Sequence, residues 1–339
     1  MNARFQNALA RTPQAVPPIW LMRQAGRYHR HYALLRQRHS FMDLCLQPEL
    51  AAQVALGPVR DFDFDAAILF SDLLFPLGGL GLGLRYEDDG PKLEFFLSPE
   101  TLGRLKPWPE ALESLRFQGQ ALAATRQGLS QDKSLIGFVG GPFTLFAYAC
   151  EGGHRGDLAR AKQQLGLWDA FMDRLLPLLE GAIRLQLEAG AEVVMLFDTA
   201  AGALPAALFQ SLAQPGLLRL ARAFPGRVGY YSKGTLEACF SPQFLAAPWA
   251  GLGFDPRWDL RSCFGLAGRG FVQGNFDQAL LLLEGQGFAR QLEAWLAPLA
   301  DLDPARRAGW VCGLGHGVLP RTPERNVRAL VKTVRERCR

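Results

Sequence analysis

Two arginines, Arg23 and Arg27, flank Gly26 in the segment MRQAGRY. Guanidiniums four residues apart around a glycine can turn into one mouth and grip several carboxylates, each planar fork binding one bidentately. An arbitrary R-x-x-x-R pair is more often two surface arginines in ion pairs. The apolar run beside this one and Gly26 favour a pocket only modestly. Asp72 ends the run AAILFSD, and an acid there either faces a mouth or caps the next helix. Asp198 in MLFDT admits the same two readings, with the hydroxyl of Thr199 beside it. His316 lies between glycines in GLGHG, which lets backbone and ring approach a ligand closely. Tyr148, about two helical turns beyond the GGP of GGPFTLFAY, reads by itself as a core tyrosine.

The elements that must position these residues recur as short β-rich apolar run, polar loop, longer helical segment. Strands are expected at residues 17–22, 66–70, 134–139, 192–197, 227–231, 251–254, 270–274 and 309–313. Helical periodicity marks residues 49–62, 167–190, 205–224 and 326–338, and residues 1–13 resemble a short amphipathic surface helix. Eight hydrophobic strands separated by helices imply a parallel sheet, because parallel neighbours need crossover connections. Without a break in composition, eight repeats favour a single (β/α)8 TIM barrel over residues 1–339. A doubly wound sheet would show G-x-G-x-x-G after its first strand, and LMRQAGRY is not that motif. The glycine-rich GLGLGL at 79–84 runs into RYEDD and reads as a turn or hairpin. A barrel also demands chemistry just past its C-terminal strand ends. The loops MRQAGRY, FSD, GGPFT, FDT, SKG, FDP, QGN and GLGHG all fall there.

Hydrophobic residues at 49% and charged residues at 20% are the balance of a globular chain with a sizeable core. No stretch has the roughly 18 consecutive apolar residues of a spanning helix, and the N-terminus lacks the apolar core of a secretory signal. No membrane partner and a cytoplasmic location are therefore expected. The net charge of +5 could suit a polyanion, but no basic run with interleaved aromatics marks nucleic-acid binding. Only six of the 37 basic residues are lysine, an arginine bias that suits planar carboxylate recognition wherever it reaches a pocket. Six scattered cysteines without a C-x-x-C pair argue against disulfides and structural zinc and for reduced, mostly buried thiols. His29 and His31 in RYHRHY form an H-x-H pair with no further ligand nearby, and read as a solvated loop.

Taken in order, these segments resemble one family. PIWLMRQAGRY, ILFSDLLFPLGGLGL, IGFVGGPFTLFAYACEGG, AGAEVVMLFDTAAG, VQGNFDQALL and GLGHGVLPRTPERNVRALV are similar to the blocks of uroporphyrinogen decarboxylases, in the same order, from about residue 5 to 337. RQAGRY and LGHGVLP-x-TP-x-x-NV are the specific ones. The resemblance implies a (β/α)8 barrel, usually a homodimer, that converts the four acetates of uroporphyrinogen to methyls with no cofactor and no metal. Arg23 and Arg27 match the family's carboxylate-binding arginines, and Asp72 matches the aspartate that accepts hydrogen bonds from the pyrrole N–H groups. Tyr148 and His316 match substrate-contacting residues, and Phe197 a phenylalanine lining the cleft. Thr199 stands where a serine is usual. Asp72 and Arg23 are thereby the implied catalytic residues, although an arginine, with a pKa above about 12, is a poor proton donor.

The chain departs from the family pattern in FDTAAG, FDPRWDL, RYHRHY and EGGHRGD. Two other functions stay open on the sequence. One is a non-catalytic or divergent tetrapyrrole-binding paralogue. The other is a zinc-dependent corrinoid methyltransferase, which would need a His and Cys cluster with an H-x-C near the fifth strand, where this chain reads GYYSKGT.

Overall fold

The computed structural model describes residues 1–87, 90–153 and 156–339. Seven parallel strands form one curled sheet: β1 (Ala66–Ile68), β4 (Ser134–Gly140), β5 (Val193–Phe197), β6 (Val228–Tyr231), β7 (Gly251–Gly253), β8 (Phe271–Phe276) and β9 (Trp310–Leu314). They lie side by side in chain order, so each connection returns over the same face, and every residue of these seven strands is buried. Continuous burial is what a parallel sheet with both faces covered requires. It explains why these runs are apolar throughout instead of alternating. The remaining strands, β2 (Leu84–Glu87) and β3 (Gly90–Leu93), pair antiparallel. They form the hairpin expected after GLGLGL, with Asp88 and Asp89 outside the described residues.

Residues 17–22 differ from expectation. They make a single parallel bridge, Ile19 to Cys312, and no regular strand. Pro17 and Pro18 carry no backbone N–H. The Ile19 N–H, which a ladder would use, instead donates to Asp65 Oδ2 at 2.8 Å. The segment is nonetheless held on both sides: Cys312 N donates to Pro18 O, and Asp65 N donates to Ile19 O. Asp65 also accepts from Asn2, Arg4 and Arg335, tying both ends of the chain to the foot of β1.

Helices occupy the expected places at Pro48–Phe62, Trp168–Glu188 and Glu324–Arg337, with a short one at Ala3–Ala10. The stretch expected as one helix over 205–224 is interrupted. Ala206–Leu208 leads into a wide π-type turn, Phe209–Ala213, before Gln214–Ala223. Pro215 cannot donate to the preceding turn, and widening the turn accommodates the missing bond. All six cysteines are free and buried, and among the described residues no helix is long and apolar enough to cross a membrane. RYHRHY is not a solvated loop: His29 is buried with Nε2 2.7 Å from Asp61, and His31 lies in the helix Arg30–Arg36.

Candidate active site

A cavity of about 250 Å3 opens beyond the C-terminal ends of the strands, lined from β1, β4, β5, the loop after β9, the loop after residues 17–22 and the hairpin. Asp72, Arg23, Tyr148, Phe197, Thr199 and His316 all line it. Arg27 does not; its side chain is exposed outside the cavity wall.

Arg23 is aimed by its backbone and by a glycine. Gln24 is buried, accepts from Leu21 N and donates to Ala66 O, which fixes the MRQAG loop on β1. Arg23 itself adopts φ +60°, a conformation that non-glycine residues rarely hold. Its stem lies on Gly317, where an added Cβ would come within 2.4 Å of Arg23 Cδ. The last glycine of GLGHG thus makes room for the arginine of MRQAGRY. Among the described residues neither Arg23 nor Arg27 forms an ion pair.

Of the two expected readings of Asp72 the structure supports the first: the carboxylate lines the cavity. Oδ1 accepts from Leu74 N at 2.9 Å, a local turn bond, and the following helix Phe75–Gly79 has no side-chain cap. Burial pushes its pKa up, and the Leu74 N–H, the nearby Tyr86 hydroxyl and the charge of Arg23 offset part of that rise. An ionised Asp72 is therefore poorly solvated and would be relieved by a positive partner in the cavity.

Asp198 caps a helix and leaves the cavity to its neighbours. Its Oδ1 accepts from Thr144 N and Thr144 Oγ1, both at 2.7 Å, at the start of the helix Pro142–Glu151. Gly141 is required there, since a Cβ would meet Asp198 Cβ at 2.3 Å. Fully buried, with Oδ2 unpartnered, Asp198 has its pKa raised to about 6 by burial, against the Thr144 hydrogen bonds. This cap orients the helix that carries Tyr148 into the cavity wall. Phe197 and Phe138, from adjacent strands, lie with ring centroids 5.6 Å apart and form an aromatic wall.

Two further residues carry no signal in the sequence. Tyr86 is on hairpin strand β2, packed on Phe41 at 4.7 Å between centroids, and its buried hydroxyl sits near Asp72. Only the fold-back of the hairpin brings it there. Tyr231 ends β6, where its hydroxyl lies 3.1 Å from His316 Nδ1. Alternation along a fully buried strand does not distinguish a core tyrosine from one that reaches the rim. Among the departures from the family pattern, His154 and Arg155 of EGGHRGD lie outside the described residues. No three His, Cys, Asp or Glu side chains are grouped to hold a metal ion among the described residues.

A curled parallel α/β sheet whose polar loops converge past the carboxyl ends of its strands defines the broad class, that of proteins which bind small ligands at this end of the sheet. Within that class the chain belongs to the uroporphyrinogen decarboxylase (URO-D) family, whose model matches residues 1–337. It is 32% identical over 346 residues to a uroporphyrinogen decarboxylase of Solibacter usitatus, covering 99% of this chain and 98% of that one. To one from Chloroflexus aurantiacus it is 36% identical, covering 98% and 96%. Among solved structures, a methyltransferase from Methanosarcina mazei superposes with a TM-score of 0.73 at 20% identity, covering 99% of this chain and 98% of that one. That likeness is one of fold alone.

Proposed function

We propose that this protein is a uroporphyrinogen decarboxylase, removing the carboxylates of the four acetate side chains of uroporphyrinogen to leave methyl groups, with no cofactor. The observation that carries the reading is Asp72: a carboxylate held in the cavity wall, its pKa raised by burial, with Arg23 on the same wall. Loss of CO2 from an acetate on a pyrrole needs an electron sink, and the ring protonated on carbon provides one. The C–CO2 bonding pair flows into the ring, the exocyclic carbon takes a proton to become methyl, and the ring proton returns. Each CO2 lost from a carboxylate consumes one proton. The substrate thus supplies what a cofactor supplies elsewhere. Asp72 accepts pyrrole N–H groups and offsets the ring cation as it forms, with little reorganisation.

Arg23 binds substrate carboxylates in the cavity, and Arg27, exposed outside its wall, contributes less. Tyr148, Phe197, Thr199 and His316 contact the macrocycle and its side chains. We further infer that residues 17–22 close the sheet as the eighth element of a (β/α)8 barrel forming a single domain, 1–339. The backbone bonds of Pro18 and Ile19 to Cys312 and Asp65 support this. A homodimer located in the cytoplasm is proposed from the family resemblance.

The test is anaerobic incubation of the purified protein with uroporphyrinogen, then chromatography of the oxidised products. Stepwise appearance of seven-, six-, five- and four-carboxylate porphyrins is expected without added metal or cofactor, and Asp72→Asn should abolish it with the melting curve unchanged. Tight binding with unchanged octacarboxylate from folded wild-type protein would replace the enzyme by a tetrapyrrole-binding paralogue.

A further inference from the structure

The geometry points to Tyr231 as the residue that positions His316, holding its ring in the Nδ1–H form so that Nε2 is the atom that exchanges hydrogen bonds and protons with the substrate. The substrate part of this inference rests on the decarboxylase reading above. The form of the ring is a property of the free protein.

Tyr231 is fully buried at the end of β6, with its ring edge-on to Phe197 at 6.2 Å and nearly parallel to His316, 12° between planes. Its hydroxyl oxygen is 2.6 Å from the carbonyl oxygen of Gly315 and 3.1 Å from His316 Nδ1. A carbonyl oxygen has no hydrogen to give, so the single phenolic proton lies on the short line to Gly315. Towards Nδ1 the hydroxyl then presents only a lone pair. Were Nδ1 unprotonated, two lone pairs would face each other at hydrogen-bond distance, so Nδ1 carries the hydrogen and donates to Tyr231. Ionisation of the phenol offers no escape, because burial pushes its pKa further above the ordinary value.

The Gly315 carbonyl is not free to turn away. Gly315 N donates to Phe276 O at 2.8 Å, and the residue is pressed against Pro256, where an added Cβ would come within 2.4 Å of the proline Cδ. Strand β8 and the loop after β7 therefore fix the acceptor, the acceptor fixes the hydroxyl proton, and the hydroxyl fixes the imidazole. Neutral His316 offers Nε2 as an acceptor, suited to a pyrrole N–H or a protonated carboxyl. The protonated ring offers Nε2–H to a carboxylate. In both states the Nδ1–H bond to Tyr231 persists, so the ring exchanges a proton at Nε2 without flipping.

The test is a long-range 1H–15N correlation spectrum of the 15N-labelled full chain in alkaline buffer, where imidazole is neutral. His316 is assigned by the signals missing from His316→Gln. Wild-type protein should show a protonated Nδ1 and an unprotonated Nε2 at His316; the reverse pattern overturns the inference. Tyr231→Phe keeps the ring and its contact with Phe197 but removes the acceptor. It should give a mixture of both forms, and kcat/KM on uroporphyrinogen should fall about tenfold, the order of one lost hydrogen bond. A variant that keeps the wild-type spectrum and turnover overturns the role of Tyr231. Should Tyr231→Phe fail to fold, the wild-type spectrum alone decides. If wild-type protein releases no CO2, the decarboxylase reading fails, while the spectra still support or overturn the assignment of Tyr231.

Discussion

Replacing Asp198 by asparagine should flatten the acid side of the stability curve, and the size of the effect follows from the environment of the carboxyl. Asp198 is fully buried, one oxygen bonded to Thr144 N and Oγ1 and the other unpartnered. Its pKa rises from 3.8 in the unfolded chain to about 6 in the fold. Between those values the native state holds a proton that the unfolded chain has released. The native state is thus favoured below about pH 4, and that advantage is lost as pH rises through about 6. A shift of this size at about 1.4 kcal/mol per unit comes to about 3 kcal/mol by neutral pH. The asparagine side chain would still accept from Thr144 through its amide oxygen, but it does not titrate. Urea unfolding of both proteins from pH 4 to 7 isolates the effect, because Asp72 and the other shifted groups are common to both. The difference, wild type minus variant, should fall by about 2 kcal/mol across that range, the rest of the effect lying below pH 4. A difference that stays level with pH, or rises, would refute the burial argument.

Two further outcomes follow from where the side chains lie. Arg23 lines the cavity and Arg27 does not, so Arg23→Ala should lower kcat/KM on uroporphyrinogen by about tenfold to a hundredfold, the order of one charge-assisted hydrogen bond. Arg27→Ala should cost less than about threefold, and equal losses in steady-state assays would overturn that division. Asp65→Ala removes the acceptor of the buried Ile19 N–H and of three side chains. It should lower the unfolding free energy in urea by about 3 kcal/mol, and a loss under about 1 kcal/mol would show that the carboxylate is dispensable.

The parts of the molecule legible in the sequence are those set by local pattern. Runs such as SLIGFV and EVVMLF are buried on both faces, so their apolar character marks them as strands without reference to neighbours. Residues 17–22 have the same composition but not the same structure, because two prolines and a distant carboxylate decide where the backbone bonds go. Pro215 similarly interrupts a helix whose apolar periodicity is unbroken. In the site, Asp72 and Asp198 both end apolar runs and admit the same readings. What separates them is Gly141, whose missing Cβ lets Asp198 cap the neighbouring helix, and that proximity appears only in three dimensions. Tyr86 and Tyr231 reach the cavity region through a hairpin fold-back and a strand register, neither of which has a motif.

The two most specific segments, MRQAGRY and GLGHG, stand nearly at opposite ends of the chain yet form one piece of the site. The seam explains this. Cys312 N bonds to Pro18 O and Val318 N donates to Met22 O at 2.9 Å, so the first and last loops leave the sheet side by side. Gly317 then accepts the stem of Arg23, while the neighbouring His316 is held by Tyr231. The arginine and the histidine therefore share a foundation that depends on residues 17–22 staying against β9 and β1. Asp65, at the far end of β1, secures that segment through the Ile19 N–H. Stability and site geometry are thus coupled at this seam: loosening Asp65 acts on Arg23 and His316 together, although it touches neither.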